Sequence, residues 1–81
     1  MNDRDILGRV HELVEEEHAL RQQLVGGEID GAAERERLQV VENELDQCWD
    51  LLRRRRAAQD AGRDPSDAEV RSVQEVRGYL Q

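Results

Sequence analysis

Two long stretches of this sequence repeat apolar residues at the spacing of an α-helix, and this periodicity constrains the fold more than any other feature. In residues 3–25 the steps between the apolar positions of one face are three or four residues or their sum. A second stretch over residues 32–60 has the same spacing, except that Cys48 and Trp49 are adjacent. The first set is Ile6, Val10, Leu13, Leu20 and Leu24, and the second is Leu38, Val41, Leu45, Cys48, Trp49 and Leu52. Such spacing gathers apolar side chains on one face of a helix. The sequence therefore predicts two amphipathic helices.

The segment VGGEIDG separates these two stretches and contains three glycines. Glycine permits the left-handed backbone with which helices commonly end, so a turn is predicted over residues 26–31. Two helices joined by so short a turn form an antiparallel hairpin. Residues whose numbers sum to about 58 then lie in the same layer, which pairs Leu13 with Leu45.

Residues 63–81 begin with the turn-like RDPSDAEVR and continue with SVQEVRGYL. Ser72 and Glu75 have the spacing of a capping box, which predicts a short helix with Val73, Val76 and Leu80 facing inward. So short a helix is stable only when it packs on the rest of the chain. The prediction for residues 1–81 is a single all-α domain, an antiparallel helical hairpin with a short C-terminal helix.

Four apolar residues, Leu7, Val14, Val40 and Leu51, fall outside the seam between the two helices. With 81 residues, of which 38% are charged and 2% aromatic, the chain has little apolar material for a core of its own. A second copy would cover the remaining residues. The sequence therefore predicts a homodimer, paired into a two-fold four-helix bundle with the short helix capping one end.

The net charge of −7 argues against an indiscriminate binder of DNA or membranes. No apolar run approaches the roughly 20 residues of a membrane span. Cys48 is the one cysteine, and MNDRDILGRV does not have the pattern of a secretory signal. We therefore expect a cytoplasmic protein without an internal disulfide.

The stretch CWDLLRRRR places the single tryptophan, Trp49, directly before four arginines. The tract consists of Arg53, Arg54, Arg55 and Arg56. It indicates either a solvated helix end, paired with Asp3 and Asp5 across the hairpin, or a contact with a partner protein or nucleic acid. The acidic surroundings and the position of Trp49 on the seam make nucleic acid the least favoured. By helical phase, Arg54 is furthest from the seam and the stem of Arg56 packs on the core.

His11, Glu15 and His18 form H-x3-E-x2-H, and EEEH contains the Glu-x-x-His of di-iron bundles. Ligands in a bundle core must point inward. At 100° per residue the two histidines lie about 100° from the apolar stripe, and Glu15 lies still further round. We therefore predict no metal and no other cofactor, and keep a di-metal carboxylate protein as an alternative.

Glu17 occupies the apolar stripe itself, where a charge costs stability unless it is paired. Arg21, one turn away, or Arg37, across the hairpin, could supply the partner and so set the register. Cys48 on the inner face is interpreted as a small hydrophobic residue. No catalytic arrangement of side chains is recognisable, so an enzyme is not expected.

The segments DILGRVHELVEEEHALR, LDQCWDLLRRRRA and GYLQ, with their spacing, resemble a family of short acidic proteins from actinobacteria, catalogued as a domain of unknown function. The similarity covers nearly the whole chain. Its most specific element is residues 45–57 around Trp49, followed by a turn with Asp64 and Pro65. The resemblance implies an actinobacterial setting and brings no activity, ligand or site residue with it.

These observations favour a non-enzymatic helical protein that self-associates and binds another macromolecule, a protein with a basic surface facing the acidic helices. The alternatives are the di-metal carboxylate protein and a nucleic-acid accessory factor that uses residues 53–56.

Overall fold

The computed structural model describes residues 2–27 and 31–80, the last two of these by their backbone alone. The elements are α1 (Asp3–Gly26), α2 (Ala32–Asp60), a 3₁₀ turn at Pro65–Asp67 and α3 (Val73–Leu80), with no β-strand in those ranges. α1 and α2 pack against each other as an antiparallel hairpin. The predicted all-α hairpin with a short C-terminal helix is thus confirmed. Residues 28–30 of the predicted turn and the side chain of Leu80 lie outside the described residues.

Local sequence signals define where α1 and α3 begin and where α1 ends. Asn2 caps α1: its side chain accepts a hydrogen bond from the Asp5 N–H (2.9 Å), and its own N–H donates to the Asp5 carboxylate (3.2 Å). Gly27, at φ 67°, ends α1 in the left-handed conformation that glycine adopts without strain. The predicted capping box of α3 is present, since the Glu75 N–H donates to Ser72 Oγ at 3.2 Å and the Ser72 N–H donates back to Glu75.

The core of the hairpin is a cluster of Val10, Leu13, Val41 and Leu45, with Leu20, Cys48 and Leu52 packed against it. Ion pairs that cross from α1 to α2 fix the register. The residue numbers sum to 58 for Asp3–Arg55, 53 for Arg9–Glu44 and 63 for Arg21–Glu42. These values lie within five of the predicted sum, and Leu13 and Leu45 share the core cluster, which agrees with their predicted pairing.

The segment after α2 folds back along it. The Gln47 side-chain amide donates to the Arg71 carbonyl (3.0 Å), and Arg77 of α3 donates to Asn43 (2.6 Å). In the described residues α3 contacts α2 and does not contact α1. Val76 is buried here and Val73 is half-buried. We refer to residues 63–80 as the tail.

Two predicted positions on α2 are wrong. Leu51 was expected to be uncovered, but it is only 5% exposed, because it lies on the side of α2 that the tail covers. Trp49 was expected on the seam, but it is 43% exposed. Cys48 takes the inner position instead, and one residue further along a helix is a rotation of 100°, which turns the larger indole out to the flank.

Candidate interaction surface

One flank of the hairpin keeps large apolar side chains in contact with solvent. Leu7 and Val14, seven residues apart on α1, are about half exposed, and so is Trp49 on α2. Leu7 and Trp49 line a surface groove of about 310 Å³ between the two helices, in which Leu52 and Arg56 also take part. Leu51, which the tail covers, lies on the other side of α2. We call the flank formed by Leu7, Val14 and Trp49 the open face.

The opposite flank carries ion pairs and the tail, and Val40 of α2 is exposed there. Arg9 and Glu44 form a two-point pair at 2.5 and 3.1 Å, and Arg37 contacts Glu16 at 2.6 Å. The hydrogen bond from Arg9 lowers the pKa of the Glu44 carboxyl below its ordinary value. This flank therefore needs no further partner to satisfy these charges.

A second groove, of about 250 Å³, runs beside the Arg9–Glu44 pair, between α1 and the tail. Its apolar walls are Ile6, Cys48, Leu51 and Val70. Burial raises the pKa of the Cys48 thiol. Cys48 packs against the core cluster, in agreement with its interpretation as a small hydrophobic residue.

The arginine tract is divided by the structure into two inner and two outer residues. Arg55 is buried and donates to Asp3 (2.6 Å) and to the Pro65 carbonyl (3.3 Å). Arg54 donates to Asp50 (3.0 Å) and to the Glu69 carbonyl. Arg53 and Arg56 are exposed, and neither makes an ion pair within residues 2–27 and 31–80. Half of the tract holds the chain's own tail in place.

The prediction that Arg54 is an ordinary surface residue is therefore wrong, whereas Arg56 is exposed and lines the groove beside Leu52. The tail forms a second neighbour of α2, and Arg54 points toward it. Arg56 is in phase with the seam but lies level with the very start of α1, where little of α1 remains to cover it.

Asp50 is a buried carboxylate that sequence reasoning missed. It is 3% exposed and lies 3.0 Å from Arg54 and 3.9 Å from Arg71 of the tail. Its signal in the sequence is an acid inside an apolar stretch followed by arginine at the i,i+4 spacing of a helical ion pair. Asp50 joins α2 to the tail.

Glu17 is half-buried at the edge of the seam, and its partner is Arg21 on the same helix at 3.9 Å. Arg21 also contacts Glu42 of α2 at 2.7 Å. The alternative partner, Arg37, contacts Glu16 instead. The link across the hairpin therefore runs from Glu17 through Arg21 to Glu42.

The candidate metal ligands of the sequence do not form a cluster. His11 and Glu15 make an exposed contact of 3.3 Å on the surface of α1, and His18 is exposed further along the helix. The part of the chain that the structure describes contains no group of three side chains placed to hold a metal ion.

Within the same ranges, the helices are too short or too polar to cross a membrane.

Comparison of the sequence with known proteins identifies the family of this chain. Residues 2–81 match the family described as "Protein of unknown function (DUF2630)". The chain belongs to this family. DUF2630 relatives include "Uncharacterized protein Mb0922c" of Mycobacterium bovis and "Uncharacterized protein Rv0898c" of Mycobacterium tuberculosis. Each is 49% identical over 77 residues, covering 95% of this chain and 88% of the relative. No solved structure matches significantly.

The match confirms the resemblance seen in the sequence, and these relatives are proteins of actinobacteria. The description of the DUF2630 family names no activity.

Proposed function

We propose that this DUF2630 protein is a non-enzymatic helical protein that dimerises through the open face and binds another macromolecule with a basic surface. The observation that carries the proposal is the open face itself. Its apolar residues stay exposed although the tail covers a comparable residue, Leu51, on the other side of α2.

The energetics favour covering this face. Burying a large apolar side chain stabilises a protein by about 1.5–3 kcal/mol, and the groove presents Leu7 and Trp49 side by side. A chain of 81 residues buries a smaller share of its surface than a larger domain does. A second copy would therefore add what the single hairpin lacks, as in a two-fold four-helix bundle.

The choice of a basic partner rests on charge. The chain carries a net charge of −7, and α1 presents Asp5, Glu12 and Glu15 on its solvent side. Such a surface attracts positively charged partners and repels nucleic acid. Because two of the four tract arginines are bonded within the chain, a nucleic-acid role for the whole tract has less support.

Self-association is tested by sedimentation and by thermal unfolding over a range of protein concentrations. A dimer has a Tm that rises with concentration. The variant Leu7→Glu should be monomeric with a lower Tm. Val40→Glu is the matched control, because Val40 is exposed to the same extent (48% against 49%) but lies on the opposite side of α2 from Trp49. A concentration-independent monomer, or equal effects of the two variants, would contradict the proposal.

Binding to a basic surface is tested with a fluorescent arginine-rich peptide as the probe. Binding should weaken as salt rises, since the contact is electrostatic. The double variant Glu12→Gln with Glu15→Gln should bind the peptide more weakly than Glu34→Gln with Glu36→Gln, which makes the same charge change at the start of α2. Equal binding by both would show that the acidic side of α1 is not the surface that attracts the partner.

A further inference from the structure

Five residues of α2 form a stripe whose charge reverses at its centre. The stripe consists of Glu42, Asp46, Trp49, Arg53 and Arg56. Successive members are four, three, four and three residues apart, which places them along one side of a helix. Two acids precede the tryptophan and two arginines follow it. We call this set the charge stripe; it borders the open face through Trp49.

Most members of the charge stripe have no partner inside the hairpin. Asp46, Arg53 and Arg56 make no ion pair among the described residues. Glu42 is the exception, since it accepts a hydrogen bond from Arg21 at 2.7 Å and uses one carboxylate oxygen to do so. The indole of Trp49 is 43% exposed although it is the largest apolar side chain of the protein. Contacts within the hairpin therefore leave most of the charges of the stripe, and much of the indole, available to a partner.

We propose that the second copy docks antiparallel, with the two α2 helices side by side and Trp49 on the two-fold axis. In an antiparallel pair, level residues have numbers with a constant sum. That sum is 98 for Trp49 with itself and for Glu42 with Arg56, and 99 for Asp46 with Arg53. Each acid of one copy therefore lies level with an arginine of the other copy, on both sides of the axis.

Charge selects this orientation over the alternative. A parallel pair in the same register would place Glu42, Asp46, Arg53 and Arg56 each beside the identical residue of the second copy, and like charges at such positions destabilise a helix pair. Leu7, which shares a groove with Trp49, supplies the neighbouring apolar contact. This inference rests on the proposed self-association and adds its register.

Charge reversal tests the register. Arg53→Glu with Arg56→Glu makes the stripe wholly acidic, and Glu42→Arg with Asp46→Arg makes it wholly basic. Each double variant alone should show a dimer Kd at least about tenfold higher than the wild type, because exposed ion pairs are lost and repulsion replaces them. An equimolar mixture of the two variants should associate again as a heterodimer.

The control is Arg4→Glu with Arg63→Glu, which changes the net charge as the acidic variant does but at two exposed arginines outside the stripe. Sedimentation measures the dimer Kd, and circular dichroism shows whether each variant is folded. The fluorescence emission of the single tryptophan should shift to shorter wavelength in samples where dimerisation buries Trp49. The control should dimerise as the wild type does.

Two results would overturn the inference, and they differ in what they leave standing. The register would be wrong, while self-association holds, if the wild type dimerises and the double variants self-associate as tightly as the wild type does. The same conclusion would follow if the equimolar mixture does not form a heterodimer. A wild-type protein that stays monomeric at hundreds of micromolar would remove the proposed self-association and the register together.

Discussion

Arginines 53–56 show how strongly the environment of a residue depends on its helical phase. An α-helix turns 100° per residue, so four neighbours with the same chemistry point in four directions. Arg55 points to Asp3 and the start of the tail, Arg54 to Asp50 and the Glu69 carbonyl, and the other two to solvent. The inner pair is bonded within the chain, and the outer pair is exposed.

This division predicts unequal effects of alanine at Arg54 and Arg56. Arg54→Ala removes the closer ion-pair partner of Asp50, which is 3% exposed, so we expect a loss of about 1–3 kcal/mol of unfolding free energy. Arg56→Ala, at an exposed site, should stay within about 0.5 kcal/mol. Urea denaturation at one low protein concentration, where the monomer dominates, measures both. A larger loss from Arg56→Ala would mean that the Asp50–Arg54 contact contributes little.

At this scale the sequence predicted Arg55 better than Arg54 for a physical reason. Helical phase relative to α1 is enough to place Arg55, because Arg55 faces α1. The tail is a second neighbour, and its path depends on the turn at Pro65–Asp67 and on an extended segment with no periodic pattern. Asp50 was missed for the same reason, because its burial depends on where the tail lies.

Among the elements, the contact between α1 and α2 combines an apolar seam with ion pairs along its edge. The seam was predictable, because the periodicity of Leu13, Val41 and Leu45 is a local property of the sequence. The edge pairs were not, since a long arginine side chain can reach several acids from one position. Arg37 illustrates this: it contacts Glu16, one residue away from the predicted partner.

The Arg9–Glu44 pair links the two helices and should make the hairpin sensitive to acid. Because the folded state lowers the pKa of Glu44, the unfolded chain binds the proton more readily. The pair's contribution to stability is therefore complete above the ordinary glutamate pKa of about 4.3, and it is lost as pH falls through the lower folded pKa. Glu44→Gln should lose less unfolding free energy than the wild type between about pH 5 and pH 3. Urea denaturation at each pH measures this loss.

The matched control for Glu44→Gln is Glu36→Gln, at an exposed position without an ion pair in the described part of the chain. Some acid sensitivity should remain in both variants, because hydrogen bonds from Ser66 also lower the pKa of Asp64. An unchanged pH profile in Glu44→Gln would show that the pair adds no stability across the hairpin.

On the scale of the whole molecule, the sequence predicted the coverage of one flank of the hairpin better than that of the other. Uncovered apolar residues on both sides were expected to meet a second copy, whereas the tail covers Leu51 within the chain. Leu7, Val14 and Trp49 stay exposed together on the open face, whereas Val40 is exposed singly on the other side of α2. The apolar area open to a partner is therefore smaller than the sequence indicated. The number of helices followed from periodicity, and the coverage of each flank did not.

Among the described elements, the 3₁₀ turn and α3 of the tail contact α2, and neither contacts α1. Release of residues 63–80 would not break the seam between α1 and α2, and its cost is set by a few contacts such as those of Val76 and the Asp50 pairs. A brief opening of this kind would bring a leucine and a carboxylate, Leu51 and Asp50, to the surface side by side. Such an opening would leave the open face, on the other side of α2, unchanged.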